Sequence, residues 1–145
     1  FFYPDYSFPG PIAQAGLTTP EFQLTNDTST MNLTNFITQG VLNASNTNGF
    51  TSFKTGGGAI VMDLGPYMTA AQTADAAIPA LVTQIGDLLT GGNLQAATKT
   101  AISNYVANTT NFPYTTGSPT TTQMRDRVRA IVHLILISPE YAIQK

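Results

Sequence analysis

The sequence predicts an all-α fold, a bundle-like array of about four main helices with an extended N-terminal arm. Two neighbouring segments, 75–90 and 94–105, place apolar residues at helical spacing, and a pair of glycines separates them. A third segment, 120–137, ends in the most apolar run of the chain. The length of 145 residues fits one domain, which we place at 20–145, after an arm at 1–19.

The predicted arm is rich in proline and aromatic residues. Proline fixes φ and removes a hydrogen-bond donor, so we expect neither a helix nor a central strand in this segment. Its aromatic side chains, which we expect to lie on a surface, are Phe1, Phe2, Tyr3, Tyr6 and Phe8. Because aromatics at a free terminus would expose a large apolar patch, we expect the chain to be part of a longer protein.

The first helix is predicted to begin after Thr19, where a hydroxyl N-cap precedes Pro20 and Glu21. Residues 25–30 are rich in turn and β formers and indicate a break. A helix that ends near Leu42 is then predicted from one apolar face, formed by Leu33, Phe36, Ile37, Gly40 and Val41.

The middle of the chain predicts little regular structure. Residues 43–58 are rich in Asn and Gly and predict a loop. Residues 60–64 either pair as a short strand or lead into the next helix. Asp63 is expected to cap a brief turn through Tyr67 and Met68.

The clearest amphipathic helix is predicted for 75–90. Pro79 is tolerated only in a first turn, which sets the start near Asp75, and Gly91 and Gly92 end the helix. Its apolar stripe consists of Ile78, Leu81, Val82, Ile85, Leu88 and Leu89.

The next helix is predicted to be capped by Asn93 and to form a hairpin with the preceding one. Its expected inner face is Leu94, Ala97, Ala101, Ile102 and Tyr105. The final helix is predicted from about Thr120 to Ile137, with an enclosed second half. Ser138 is expected to cap one more turn at Pro139 and Glu140.

Composition excludes several classes of function. Charged residues make up 10% of the chain and the net charge is −2, so there is no electrostatic footprint for nucleic acid. The absence of cysteine excludes disulfides, zinc–thiolate sites and cysteine nucleophiles. No apolar run approaches the roughly 20 residues that span a bilayer. The sequence also predicts no cofactor and no metal site.

Asp126, Arg129 and His133 lie at i, i+3 and i+7 and therefore share one stripe of the last helix. The stripe is either an acid–base or anion-binding row, or an Asp–Arg pair beside a histidine at the edge of the core. The second interpretation is favoured because the chain has one histidine, with no second ligand or nucleophile nearby in sequence. Catalytic residues therefore stay unassigned.

The other candidate sites have structural interpretations that we favour. Arg125, Arg127 and Arg129 could clamp a phosphate or sulfate group. Helix residues two positions apart point about 200° apart, however, so we expect the three to pair separately, with Asp126, Glu140 or another segment.

Tyr3, Asp5 and Tyr6 of the arm could form a carbohydrate-type site with Glu21, which follows the arm, although aromatic packing is favoured. Residues 56–58 lack the Lys-Ser/Thr of a phosphate loop and predict a turn. Glycosylation-type patterns, expected by chance in this composition, begin at Asn26, Asn32, Asn43 and Asn108.

Four groups of residues, in this order and spacing, carry a family resemblance. They are Phe2-Tyr3-Pro4-Asp5-Tyr6 with Pro9-Gly10-Pro11, Gly16-Leu17 with Pro20-Glu21-Phe22-Gln23, Leu88-Leu89-x-Gly91 with Leu94, and Arg127-Val128 leading to Ser138-Pro139-Glu140-Tyr141. In these groups the chain resembles the C-terminal part of a large, mostly secreted bacterial family known as domain of unknown function eighteen hundred. The resemblance implies a mainly helical fold, a parent several times longer, and an extracellular, cell-surface or periplasmic location. It implies no catalytic residue, because the family has no established reaction.

Three hypotheses for the function result. We expect a non-catalytic structural or interaction region of an exported protein, whose partners are the N-terminal part of its parent and further copies of the chain. The alternative is part of an enzyme on envelope or extracellular polymers, in which Asp5, Glu21 or His133 converge within hydrogen-bond reach. A third is a self-assembling surface subunit, in which the arm of one copy covers its neighbour.

Overall fold

The computed structural model describes residues 3–24, 26–42, 49–55, 58–72, 77–113, 115 and 118–142. The fold is mainly helical, as predicted. Its α-helices are α1 (Pro11–Gln14), α2 (Asp27–Leu42), α3 (Gly65–Met68), α4 (Ile78–Thr90), α5 (Ala96–Ala107), α6 (Thr121–Leu136) and α7 (Pro139–Ala142). Two 3₁₀ turns (Pro20–Leu24 and Ala70–Gln72) and two strands, β1 (Gly49–Thr55) and β2 (Gly58–Val61), complete the described elements. The chain divides into two compact units, residues 1–36 and 37–145.

In the N-terminal unit, the residues of the predicted arm bond to the 3₁₀ turn that follows them. The amide of Gln23 exchanges two hydrogen bonds with the backbone of Tyr3, at 3.0 and 2.9 Å. The hydroxyl of Thr19 accepts from the backbone N–H of Phe8 at 3.0 Å, so it is not the predicted helix cap. The expectation of no helix at 1–19 is wrong for the single turn α1, because Pro11 at its start has no N–H to satisfy.

Helix α2 begins inside the predicted break. The Oδ1 atom of Asn26 accepts from the N–H of Ser29 at 2.8 Å, and the Oγ atom of Ser29 accepts from the N–H of Asn26 at 2.9 Å. This reciprocal cap starts the helix at Asp27. The predicted break at 25–30 is therefore wrong for 27–30, which are helical.

The predicted inner face of α2 is only partly correct. Gly40 and Val41 are buried, and Ile37 packs against the hydrophobic core. Leu33 and Phe36 remain exposed, contrary to the prediction. The periodic pattern extends over the whole helix, whereas only its last turns contribute to the core of the second unit.

The second unit contains an antiparallel β-hairpin in a segment for which the sequence pattern predicts mostly a loop. Gly49 pairs with Val61 and Thr55 pairs with Gly58, with a register shift between Phe50 and Lys54. The prediction of a loop at 43–58 is therefore wrong for β1. The alternative of a short strand near Ile60 is confirmed. The N-cap of α3 is Leu64 and not Asp63, although the Oδ1 atom of Asp63 accepts from Gly65 N–H at 2.9 Å.

Helix α4 confirms most of the predicted amphipathic pattern. Its described part begins at Ile78, with Pro79 in the first turn, while the predicted start at Asp75 lies outside the described residues. Gly91 ends the helix in the left-handed region at φ 60°. Leu88 is an exception to the predicted stripe, because its side chain is exposed.

Helix α5 buries a different face from the one that the sequence pattern predicts. Its N-cap is Gln95 and not Asn93. Ala97 and Ala101 are exposed, and Tyr105 is half-exposed. The buried residues of α5 are Ile102, Ser103 and Val106. Alanine offers one methyl group, and a buried CH₂ contributes only about 0.8 kcal/mol, so the larger apolar side chains set the orientation.

Helix α6 lies within the core of the second unit, and its predicted bounds are correct to one residue. Thr120 accepts from the N–H of Gln123 at 3.2 Å, and the Gln123 amide accepts from the N–H of Thr120 at 2.9 Å. The prediction of an enclosed second half is only partly correct. Ile131 and Ile135 are fully buried, but Leu134 and Leu136 are half-buried and Ile137 is exposed. Within the described residues, the structure contains no helix with the length and apolar character needed to cross a bilayer.

Candidate functional site

A cleft of about 560 Å³ lies along one side of α6 in the second unit. Its described lining comes from the end of α2, from α5 with the turn that follows it, and from α6. The lining residues are Leu42, Tyr105, Asn111, Phe112, Pro113, Gln123, Asp126, Arg129, Ala130, His133 and Leu134. The volume falls within the range of about 300–1,000 Å³ that is typical of small-molecule sites.

The polar side of the cleft is the predicted row on α6. Asp126 and Arg129 form an ion pair, with 3.7 Å between Oδ1 and Nη1. The Arg129 side chain is only 7% exposed, whereas that of Asp126 is 49% exposed. Both side chains line the cleft, and the carboxylate is the more exposed of the two.

Three effects act in opposite directions on the pKa of the Arg129 guanidinium. Burial lowers the pKa of its guanidinium most, the neighbouring Arg125 lowers it further, and Asp126 raises it. Arginine stays protonated in proteins despite such shifts. The pair therefore places one negative and one positive charge side by side in the cleft.

His133 lies further along the same helix face, as its position predicts. Its Nε2 atom is 3.0 Å from the hydroxyl oxygen of Thr38 on α2. Partial burial lowers the pKa of the His133 imidazole, so the neutral form is favoured. The neutral ring has two tautomers, and the Thr38 hydroxyl can donate to one and accept from the other.

The apolar side of the cleft is a pair of aromatic rings that the sequence patterns do not predict. Tyr105 and Phe112 make an edge-to-face contact, with ring centroids 5.6 Å apart and an interplanar angle of 80°. The sequence patterns place Tyr105 in the core and Phe112 in a polar loop. The sequence signal that could have indicated this contact is Asn108. Its side-chain oxygen accepts from Thr110 N–H at 2.9 Å, in the turn that brings Phe112 back to α5.

The three arginines of α6 lie in different environments, as predicted. Arg127 is fully buried, Arg129 lines the cleft, and Arg125 is half-buried. Glu140 is not part of a described ion pair. Its Oε1 atom accepts from the Thr98 hydroxyl at 2.6 Å, and this hydrogen bond is the largest cause of the lowered pKa of its carboxyl.

The remaining candidate residues are not among the described residues that line the cleft. Asp5 and Glu21 are exposed in the N-terminal unit and make no side-chain hydrogen bond within its described residues. Gly56 and Gly57 and the pattern at Asn43 lie outside the described residues. In the described ranges, no group of three His, Cys, Asp or Glu side chains is placed to hold a metal ion.

Comparison with models of protein families, with curated proteins and with solved structures gave no match. The family resemblance therefore stays a prediction, and a function can be inferred only from the geometry of the cleft.

Proposed function

We propose that this chain is a non-catalytic helical interaction region that binds a small ligand in the cleft beside α6. The observation that carries the proposal is the composition of that cleft. A half-exposed carboxylate, paired at 3.7 Å with a buried guanidinium, lines the cleft together with two aromatic rings. Few, well-placed polar groups on a mainly apolar lining are the usual composition of a ligand site.

The described lining favours binding over hydrolysis. Asp126 is its one carboxylate, whereas most glycoside hydrolases use two. The described lining also contains no serine or lysine that could act as a nucleophile. Thr38 and His133 have the spacing of a nucleophile and a base, but Thr38 is not among the residues that line the cleft. Their hydrogen bond is better explained as a link between α2 and α6.

We further propose that the region acts outside the cytoplasm of a bacterium, as the C-terminal part of an exported protein. Support comes from the ordered groups of residues that resemble the secreted family. The polar surface of Thr, Asn, Gln and Ser, with 10% charged residues, is also common on exported bacterial proteins. The rest of the parent protein would then be the first partner of this region.

The proposal is tested by mapping ligand contacts on ¹⁵N-labelled protein by NMR. The probes are four classes of small molecule: aromatic carboxylates, dipeptides, neutral disaccharides and charged disaccharides. We expect at least one class to shift amide resonances at 105, 111–112 and 123–134. Absence of such shifts for every class would contradict a binding function.

A matched pair of variants ties these shifts to the cleft. Leu42→Trp adds bulk to a half-exposed residue of the lining and should weaken binding of the active probe. Leu88→Trp makes the same change at an exposed residue of α4 outside the lining and should leave binding unchanged. Equal binding by both variants would place the ligand elsewhere.

A further inference from the structure

The charges beside the cleft discriminate against ionic ligands. An anionic group could pair with Arg129, which also lines the cleft, but it would be repelled by the exposed carboxylate of Asp126 beside it. A cationic group would pair with Asp126 but would share it with Arg129, near Arg125, whose charge already acts on Arg129. An uncharged hydroxyl group avoids both penalties, because it can donate to the carboxylate without bringing a charge.

The other polar groups of the lining require a ligand that both donates and accepts hydrogen bonds. The amides of Gln123 and Asn111 already make hydrogen bonds within the chain, but each keeps a second donor hydrogen and an acceptor lone pair. The Nε2 atom of His133 is bonded to the Thr38 hydroxyl, so a ligand would meet Nδ1, which donates or accepts according to the tautomer. Hydroxyl groups on adjacent carbons match this mixed set, since each hydroxyl can donate and accept at once.

The aromatic side of the cleft requires an apolar face on the same ligand. Tyr105 is 49% exposed, and its ring is held by the edge-to-face contact with Phe112. Asn111 donates from Nδ2 to the carbonyl oxygen of Tyr105 at 3.2 Å, which keeps the turn after α5 against the helix. A sugar ring has such a face, because its C–H groups can lie on an aromatic ring while its hydroxyls point to the rim.

We propose that the cleft binds an uncharged sugar, with a ring hydroxyl donating to Asp126 and the apolar ring face on Tyr105. This inference rests on the proposed binding function and gives the ligand class of the same site. Asp126 is then the residue that determines specificity, and Arg129 is a positioning residue that holds the carboxylate.

The test compares disaccharides that differ in charge. N,N′-diacetylchitobiose and cellobiose are the neutral probes, chitobiose without acetyl groups is the cationic one, and digalacturonic acid is the anionic one. Dissociation constants come from NMR titration of the wild-type chain. We expect a neutral probe to bind in the cleft at least about tenfold more tightly than both charged probes, since about 1.4 kcal/mol corresponds to tenfold.

Two aspartate variants form the matched control. Asp126→Asn should weaken binding of the neutral sugar about tenfold, because the substitution replaces a charged hydrogen-bond acceptor by a neutral, weaker one. Asp87→Asn alters a carboxylate of similar exposure, 52%, that pairs with Lys99 away from the cleft, and it should change the affinity by less than about twofold.

A pair of tyrosine variants tests the aromatic side of the cleft. Tyr105→Leu, checked for an intact spectrum, should also weaken binding of the neutral sugar, whereas Tyr141→Leu should not.

The outcomes separate this inference from the function on which it rests. If a charged disaccharide, an aromatic carboxylate or a dipeptide occupies the cleft and the neutral sugars do not, the sugar inference is overturned and the binding function stands. If no probe of any class occupies the cleft, both are overturned. An Asp126→Asn variant that binds the neutral sugar as tightly as the wild type also overturns the inference.

Discussion

His133, which contacts Thr38, makes the stability of the folded chain depend on pH because its imidazole is partly buried. Partial burial lowers the pKa of His133 in the folded state, whereas in the unfolded chain it has the ordinary value of about 6.5. Below that pH the unfolded chain therefore binds more protons, and the free energy of unfolding decreases as the pH falls. Above about pH 6.5, this contribution is complete and constant.

A histidine substitution tests this dependence. We expect urea unfolding of the wild type to show a loss of stability between pH 7 and pH 5, and His133→Gln to show a smaller loss over the same range. Since His133 is the only histidine, no other imidazole contributes. Equal pH slopes for the two proteins would contradict the assigned pKa shift.

Thr38 is the second residue of this contact. Thr38→Val keeps the shape of the side chain and removes the hydroxyl, so the Nε2 atom of His133 loses its partner. We expect a loss of about 0.5–1.5 kcal/mol at pH 7.5, measured by urea unfolding. Thr34→Val is the control, because its exposed hydroxyl bonds only within α2 and should matter less. Equal losses for both would assign no special role to the contact with His133.

At the scale of single elements, the capping box determines where α6 begins. Thr120→Ala removes the hydroxyl that accepts from Gln123 N–H, and we expect a loss of about 1 kcal/mol in the free energy of unfolding. Thr122→Ala makes the same change two residues later, at an exposed position inside the helix, and should be neutral or slightly stabilising. A Thr120→Ala protein as stable as Thr122→Ala would show that the cap is not important.

Gly86 determines how closely α4 approaches the start of α5. A Cβ atom at Gly86 would lie 2.6 Å from Cδ2 of Leu94, which is buried. Gly86→Ala gains about 1 kcal/mol of helix propensity, but the overlap costs about 1–3 kcal/mol. We therefore expect Gly86→Ala to be more favourable in a Leu94→Ala background than in the wild type by about 1–3 kcal/mol, measured as a double-mutant cycle. Additive effects would contradict the close contact.

The elements that could be predicted from the sequence are those with local signals. Thr120 and Gln123 encode the start of α6, and Gly91 encodes the end of α4. The first strand of the hairpin is missed because a strand is stabilised by its partner, and the Asn- and Gly-rich residues on both sides of 50–55 favour a loop. The face predicted for α5 treats Ala97 and Ala101 as equal to Ile102 and leaves out Val106, which is buried.

The candidate site was predictable only along α6. The spacing of Asp126, Arg129 and His133 places them on one face of any helix that contains them. Tyr105 and Phe112 join them through the packing of α5 and the turn at Asn108, which are tertiary and loop features. No periodic pattern in the sequence indicates that arrangement.

At the scale of the whole molecule, the buried hydrophobic core lies within the second unit. Its described residues run from Val41 in α2 to Ile135 in α6. We therefore expect a chain that begins at Asn26, which keeps the cap of α2, to unfold cooperatively in urea and to retain helical circular dichroism. A chain that ends before Thr121 removes α6 and should lose cooperative unfolding. Loss of cooperativity in the first variant would contradict the assignment of the core to the second unit.

The most direct test of the ligand cleft uses the imidazole resonance of His133, which is unambiguous in a chain with one histidine. Its Cε1–H signal is monitored against pH, without and with saturating N,N′-diacetylchitobiose. We predict a midpoint below the ordinary value in the free protein and a different midpoint when the sugar is bound, because a ligand beside His133 changes its exposure. An ordinary midpoint that the sugar does not move would contradict a sugar site in this cleft.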